Sequence, residues 1–69
     1  MRLIIDLRAL NIELARKQKN ITDLRSEGLS SATLSRAIRG VPITTRTVGK
    51  LANALDVPVE SIIESEVNE

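Results

Sequence analysis

Arg36 and Arg39 stand at the basic end of the stretch Gly28-Leu29-Ser30-Ser31-Ala32-Thr33-Leu34-Ser35-Arg36-Ala37-Ile38-Arg39-Gly40. A guanidinium there has two uses. It donates two parallel hydrogen bonds to guanine O6 and N7, worth about 1–3 kcal/mol of discrimination, or it neutralises a phosphate. At roughly 100° per residue, Leu34, Ala37 and Ile38 fall on one side of a helix and Ala32, Ser35, Arg36 and Arg39 on the other. The outward side is small near its N-terminal end, so backbone can come close to base edges, and basic toward its C-terminal end. A tight turn followed by a capped helix of about two turns is the geometry of a major-groove reader. The alternative for Arg36 is an exposed arginine in a surface pair. Downstream, Arg46 and Lys50 join Arg39 as candidate phosphate ligands. Arg46 falls in the first turn of a helix, where free backbone amides favour an anion and a cation gains nothing from the helix itself. Each is equally readable as a solvated surface charge. Catalysis has no foothold. There is no His or Cys and the carboxylates are scattered. The three glycines punctuate helices and form no phosphate loop; Gly49, inside a helix, reads as a close-packing point. The expectation is no enzyme, no metal, no cofactor and no small-molecule substrate.

Five segments read as the helices that position these residues. The first runs from Asp6, a suitable N-cap, to Lys19, with Arg16, Lys17 and Lys19 crowding its last turn. Leu7, Leu10 and Leu14 line one side and Ile5, Ala9, Ile12 and Ala15 the opposite side, which predicts a helix sandwiched between two layers. Asn20 suits a left-handed helix end. Thr22 caps a short second helix through Glu27, ended by Gly28. Ser30 caps the third, which Gly40 ends. After the connector Val41-Pro42-Ile43, Thr44 caps a fourth helix whose buried stripe is Val48, Leu51, Ala52 and Leu55. Asp56-Val57 breaks it, and Pro58 suits the first turn of a fifth helix burying Val59, Ile62 and Ile63. Leu3-Ile4-Ile5 fits either an N-terminal strand or an extension of the first helix. The fold class that follows is all-α, a compact bundle of five short helices. Residues 1–64 form one domain, and residues 65–69 a disordered acidic tail.

Sixty-nine residues allow one domain of modest core, and no Cys or His is present to staple it. The absence of Phe, Tyr and Trp disfavours single-strand readers, which stack bases on aromatic rings, and leaves duplex readers untouched. The net charge of +1 hides an asymmetry. Residues 1–55 hold all ten basic side chains against Asp6, Glu13, Asp23 and Glu27, whereas residues 56–69 hold Asp56, Glu60, Glu64, Glu66 and Glu69 alone. That division suits a phosphate-binding body with an acidic end kept away from the polyanion, or a solvated surface with chance clustering. No apolar run approaches a membrane span, and Met1 to Asp6 is too short for a secretory signal, so a cytoplasmic location is expected.

The block from Gly28 to Gly40 resembles the turn and recognition helix of the lambda-repressor/Cro-like (XRE) family of helix-turn-helix transcriptional regulators. Thr44 to Leu55 followed by Val57-Pro58-Val59-Glu60-Ser61-Ile62-Ile63 is similar to that family's fourth and fifth helices. Ile12, Ala15, Arg16, Asn20, Ile21 and Thr22 match its first helix and the turn after it. The likeness spans residues 6–64. It implies that Ser31, Ala32 and Arg36 read bases in double-stranded DNA, Ala32 against a thymine methyl, with Ser31 and Ser35 as weaker donors. Ser30, Arg39, Thr44, Arg46 and Lys50 would then hold phosphates, Ser30 being first of all a cap. The second helix is shorter than the family's by about one turn, and Asp23 stands near where a phosphate-contacting Gln is usual. The expected role is a repressor-type regulator of a phage or mobile element, a homodimer reading half-sites about one helical turn apart. Surplus apolar surface on the first helix, at Leu3 to Ile5 and in the fifth helix supports dimerisation, or else completes the monomer core. The alternative is a protein-interaction module of the same fold, such as an antitoxin, antirepressor or modulator that binds another regulator.

Overall fold

The computed structural model describes residues 1–68; Glu69, the end of the expected tail, lies outside the described residues. The chain runs β1 (Arg2–Ile5), α1 (Leu7–Arg16), α2 (Ile21–Ser26), α3 (Ser31–Ile38), β2 (Ile43–Thr44), α4 (Thr45–Leu55), a 3₁₀ turn (Val59–Ser61) and β3 (Ile63–Val67). Four α-helices therefore pack with a three-stranded antiparallel sheet of order β2-β1-β3, which corrects the expectation of an all-α five-helix bundle.

The difference lies at the two ends of the chain. Leu3 and Ile5 alternate inward with the period of a strand and are buried, with Ile4 between them half-exposed. As the central strand of the sheet, β1 pairs its backbone on both sides. β2 supplies only Arg2↔Thr44 and Leu3↔Ile43. β3 supplies the rest, from Arg2↔Val67 to Ile5↔Ile63, with a bulge that leaves Glu64 without an opposite number. The spacing of Val59, Ile62 and Ile63 fits a helix, but the segment makes one 3₁₀ turn and then extends. Ile62 is fully buried, while Val59 and Ile63 are only partly so. Its carbonyl accepts the Asp6 N–H at 2.8 Å, a bond that joins the start of α1 to the start of β3. Ser65, Glu66 and Val67, expected in a disordered tail, belong to β3.

Local signals place the helix ends. Asp6 caps α1 by accepting the Ala9 N–H at 3.1 Å. The left-handed residue after α1 is Gln18 (φ 54°), not Asn20. Asn20 instead caps α2, accepting the Asp23 N–H at 3.0 Å while the Asp23 carboxylate accepts the Asn20 N–H at 2.8 Å. The second helix thus begins before Thr22. Lys19 ties this corner down: its Nζ lies 2.8 Å from Glu27 Oε1 and donates to the Ala54 carbonyl at 3.0 Å. One lysine so links the α1–α2 turn to the end of α2 and to α4.

The core is aliphatic, built on Leu10, Leu24, Val48, Leu51, Leu55 and Ile62 with the inward side of β1, and among the described residues it contains no buried polar side chain. α1 buries Leu10 and Leu14 but is not sandwiched, since Leu7 and Ile12 stay 38% and 44% exposed. Ile38, expected to point inward, is 40% exposed. Gly49 is not a close-packing point either, because a Cβ there would meet nothing within 4 Å. Among the described residues no helix is long and apolar enough to cross a membrane.

Two substitutions test this packing. Ile62→Ala is expected to cost about 2–4 kcal/mol in urea unfolding, with Ile63→Ala costing clearly less. Gly49→Ala should add about 0.5–1 kcal/mol, as a helix-interior glycine with open space around it.

Candidate nucleic-acid interface

α2 and α3 are joined by a turn that only a few residues can make. Glu27 closes α2, Gly28 takes φ +98°, and the Leu29 N–H bonds back to the Leu24 carbonyl at 3.2 Å. Leu29 then drops into the core at 4% exposure and anchors the turn. The chain reverses into α3 under Ser30, whose Oγ accepts the Thr33 N–H at 3.1 Å and donates to Thr33 Oγ1 at 2.9 Å. At the far end Gly40 (φ +74°) and the bond from the Val41 N–H to the Arg36 carbonyl stop the helix.

Between these stops α3 buries Leu34 and Ala37. Ser31, Ala32, Ser35 and Arg36 are exposed, and Arg39, at the C-cap, is exposed as well. The sequence-derived base-reading set therefore shares one solvent-facing side of one helix. Thr44 ends β2 and caps α4, accepting the Thr47 N–H at a long 3.4 Å, with the two hydroxyls 2.9 Å apart. Arg46 lies in the first turn of α4 and Lys50 one turn later on the same side, both exposed. These two belong to a different element from Arg36 and Arg39.

The electrostatics point outward. Neither α3 nor α4 has an acidic residue in its first turn, so nothing offsets the positive end of either helix dipole. The side chains of Arg36, Arg39, Arg46 and Lys50 make no hydrogen bond or ion pair with any other described residue. Arg25, in the last turn of α2, is exposed and equally unpartnered, and sequence reading passed it over. The same reading missed the capping hydroxyls of Thr33 and Thr47, although the three-residue spacing from Ser30 and Thr44 is visible in the chain. Asp23 is engaged in capping α2, which explains an acid at this position in structural terms.

The turn is tested by Gly28→Ala, expected to cost about 1–2 kcal/mol on thermal unfolding through backbone strain alone. No atom lies within 4 Å of the added Cβ, so relief by reshaping a neighbour is not available. Ser30→Ala should cost about 1 kcal/mol by loss of the cap.

Compared with protein-family models, with curated proteins and with solved structures, the chain matches none of them.

Proposed function

We propose that the chain is a sequence-specific, double-stranded DNA-binding transcriptional regulator of repressor type that lays α3 into the major groove. The observation that carries this reading is the outward side of α3. Short side chains at Ser31, Ala32 and Ser35 lead to the unpartnered guanidinium of Arg36, on a helix capped by Ser30 and stopped at Gly40. In such a groove Arg36 donates two hydrogen bonds to a guanine edge, and the small residues let the helix approach. Ser31 and Ser35 serve as weaker donors and Ala32 rests against a thymine methyl. Ser30, Arg39, Thr44, Arg46 and Lys50 take the phosphates on either side, which sets register without reading sequence.

The resemblance of residues 6–55 to the first four helices of lambda-repressor/Cro-like regulators supports the same reading, with a homodimer on a palindrome and a cytoplasmic location as its corollaries. The likeness of residues 57–63 to a fifth helix lends nothing, since that stretch forms a 3₁₀ turn and the start of β3. No catalytic step, metal or cofactor enters the proposal. A second reading, a protein-interaction module that grips another regulator, is favoured by Asp23 at the exposed start of α2, a carboxylate unfavourable beside a phosphate.

Selection from a random duplex pool, followed by titration at several salt concentrations, decides between them. The regulator reading expects an enriched palindrome with half-sites about one helical turn apart. Arg36→Ala should lose about 1–3 kcal/mol and relax preference at a single base pair. Arg46→Gln and Lys50→Gln should weaken all duplexes alike and each lower the salt slope by about one. No enriched sequence and no salt-sensitive binding would sink the reading.

A further inference from the structure

We propose that the outer face of α1 is a docking groove for an acidic amphipathic helix of a protein partner, made of residues that the outward side of α3 does not share. The proposal does not depend on DNA binding. A shallow groove of about 620 Å³ runs along α1, lined by Leu7, Arg8, Asn11, Ile12 and Ala15. Two of the large apolar side chains that the fold leaves exposed, Leu7 and Ile12, lie in it. The groove is the furrow between two i, i+4 ridges, Leu7-Asn11-Ala15 and Arg8-Ile12-Arg16, a shape that accepts another helix.

Charge selects the occupant. Arg8 and Arg16 end the second ridge about 12 Å apart along the axis, from eight rises of 1.5 Å. Both are exposed and make no hydrogen bond or ion pair with any other described residue. No carboxylate lines the groove, and the acidic residue of α1, Glu13, projects from the opposite side and is half-buried. A second copy of this helix is a poor fit. Antiparallel pairing would set Arg8 against Arg16 of the other copy, and parallel pairing would set Arg8 against Arg8. A partner helix that carries apolar residues at i, i+4 and i+7, with carboxylates two turns apart, answers both the furrow and the two guanidinium groups.

The test titrates the full chain, by amide chemical shift, with a designed helical peptide of that pattern: leucines at i, i+4 and i+7 and two glutamates two turns apart. Saturable shifts confined to Leu7–Arg16 are expected. Replacing both glutamates by glutamine, or Arg8→Glu in the chain, should weaken binding by about tenfold, and a peptide with lysine in place of only the glutamate that faces position 8 should restore it to the Arg8→Glu chain. Duplex affinity of Arg8→Glu, measured in parallel, should stay within about twofold of that of Lys17→Glu, a control of the same net charge altered outside the groove. Absence of binding, shifts centred away from α1, or equal binding of the glutamine peptide would overturn the proposal. So would concentration-dependent self-association through α1, which would name a second copy as the occupant. Loss of duplex binding in Arg8→Glu but not in Lys17→Glu would assign the face to DNA and overturn it too. Because peptide and duplex are read separately, either hypothesis can fail alone.

Discussion

β1 is held on both sides, by a strand from the middle of the chain and by one near its far end. Four residues of extended backbone expose donors and acceptors on two edges, and only one edge finds β2, itself two residues long. The other must be met by β3, and the Asp6–Ile62 bond fastens the joint. Once this sheet is closed, Leu3, Ile5 and Ile62 seal one side of a core that has no aromatic residue to fill it. The helices then have a fixed base, and α3 and α4 each contact both β1 and β2. A hydrogen-bonding requirement at the N-terminus thus sets the platform from which the outward side of α3 is presented.

That outward side is an electrostatic feature as much as a geometric one. A chain with nearly balanced charge could have neutralised its cations internally. It does so at Lys19, which is engaged by Glu27 and by the Ala54 carbonyl, and leaves Arg36, Arg39, Arg46 and Lys50 unpartnered. Of the acids, Asp6 and Asp23 cap helices and Glu27 pairs with Lys19, while Glu64 and Glu66 lie on the edge strand β3. Unanswered guanidinium groups in water are cheap to leave and gain most when a polyanion arrives, because association then releases condensed counterions.

What could be read from the chain alone follows the range of the interaction. Asp6, Ser30 and Thr44 as caps, and Gly28 and Gly40 as positive-φ stops, depend on neighbours three or four residues away, and each is found where the local chemistry asks for it. The exposed placement of Ser31, Ala32, Ser35, Arg36 and Arg39 follows from helical periodicity once those stops are placed. The C-terminal segment was misread because its apolar spacing satisfies a helix, while the decisive partner, β1, lies some sixty residues earlier. Leu7, Ile12 and Ile38 were misjudged for a related reason. Periodicity shows that a helix has an apolar side, but not whether anything in the molecule covers it. Asn20 and Asp23 were legible as a reciprocal cap at the standard spacing, and Thr22 was preferred wrongly.

The pairing of β1 with β3 also has a consequence in time. Ile5 meets Ile63 across the sheet, so on the ribosome the first strand is made well before its main partner. At about 5–20 residues per second the wait is roughly 3–12 s. Until β3 is made, Ile4 and Ile5 have no strand partner, because β2 reaches only Arg2 and Leu3. The helices can condense early, but the finished surface exists only after synthesis has passed the final strand.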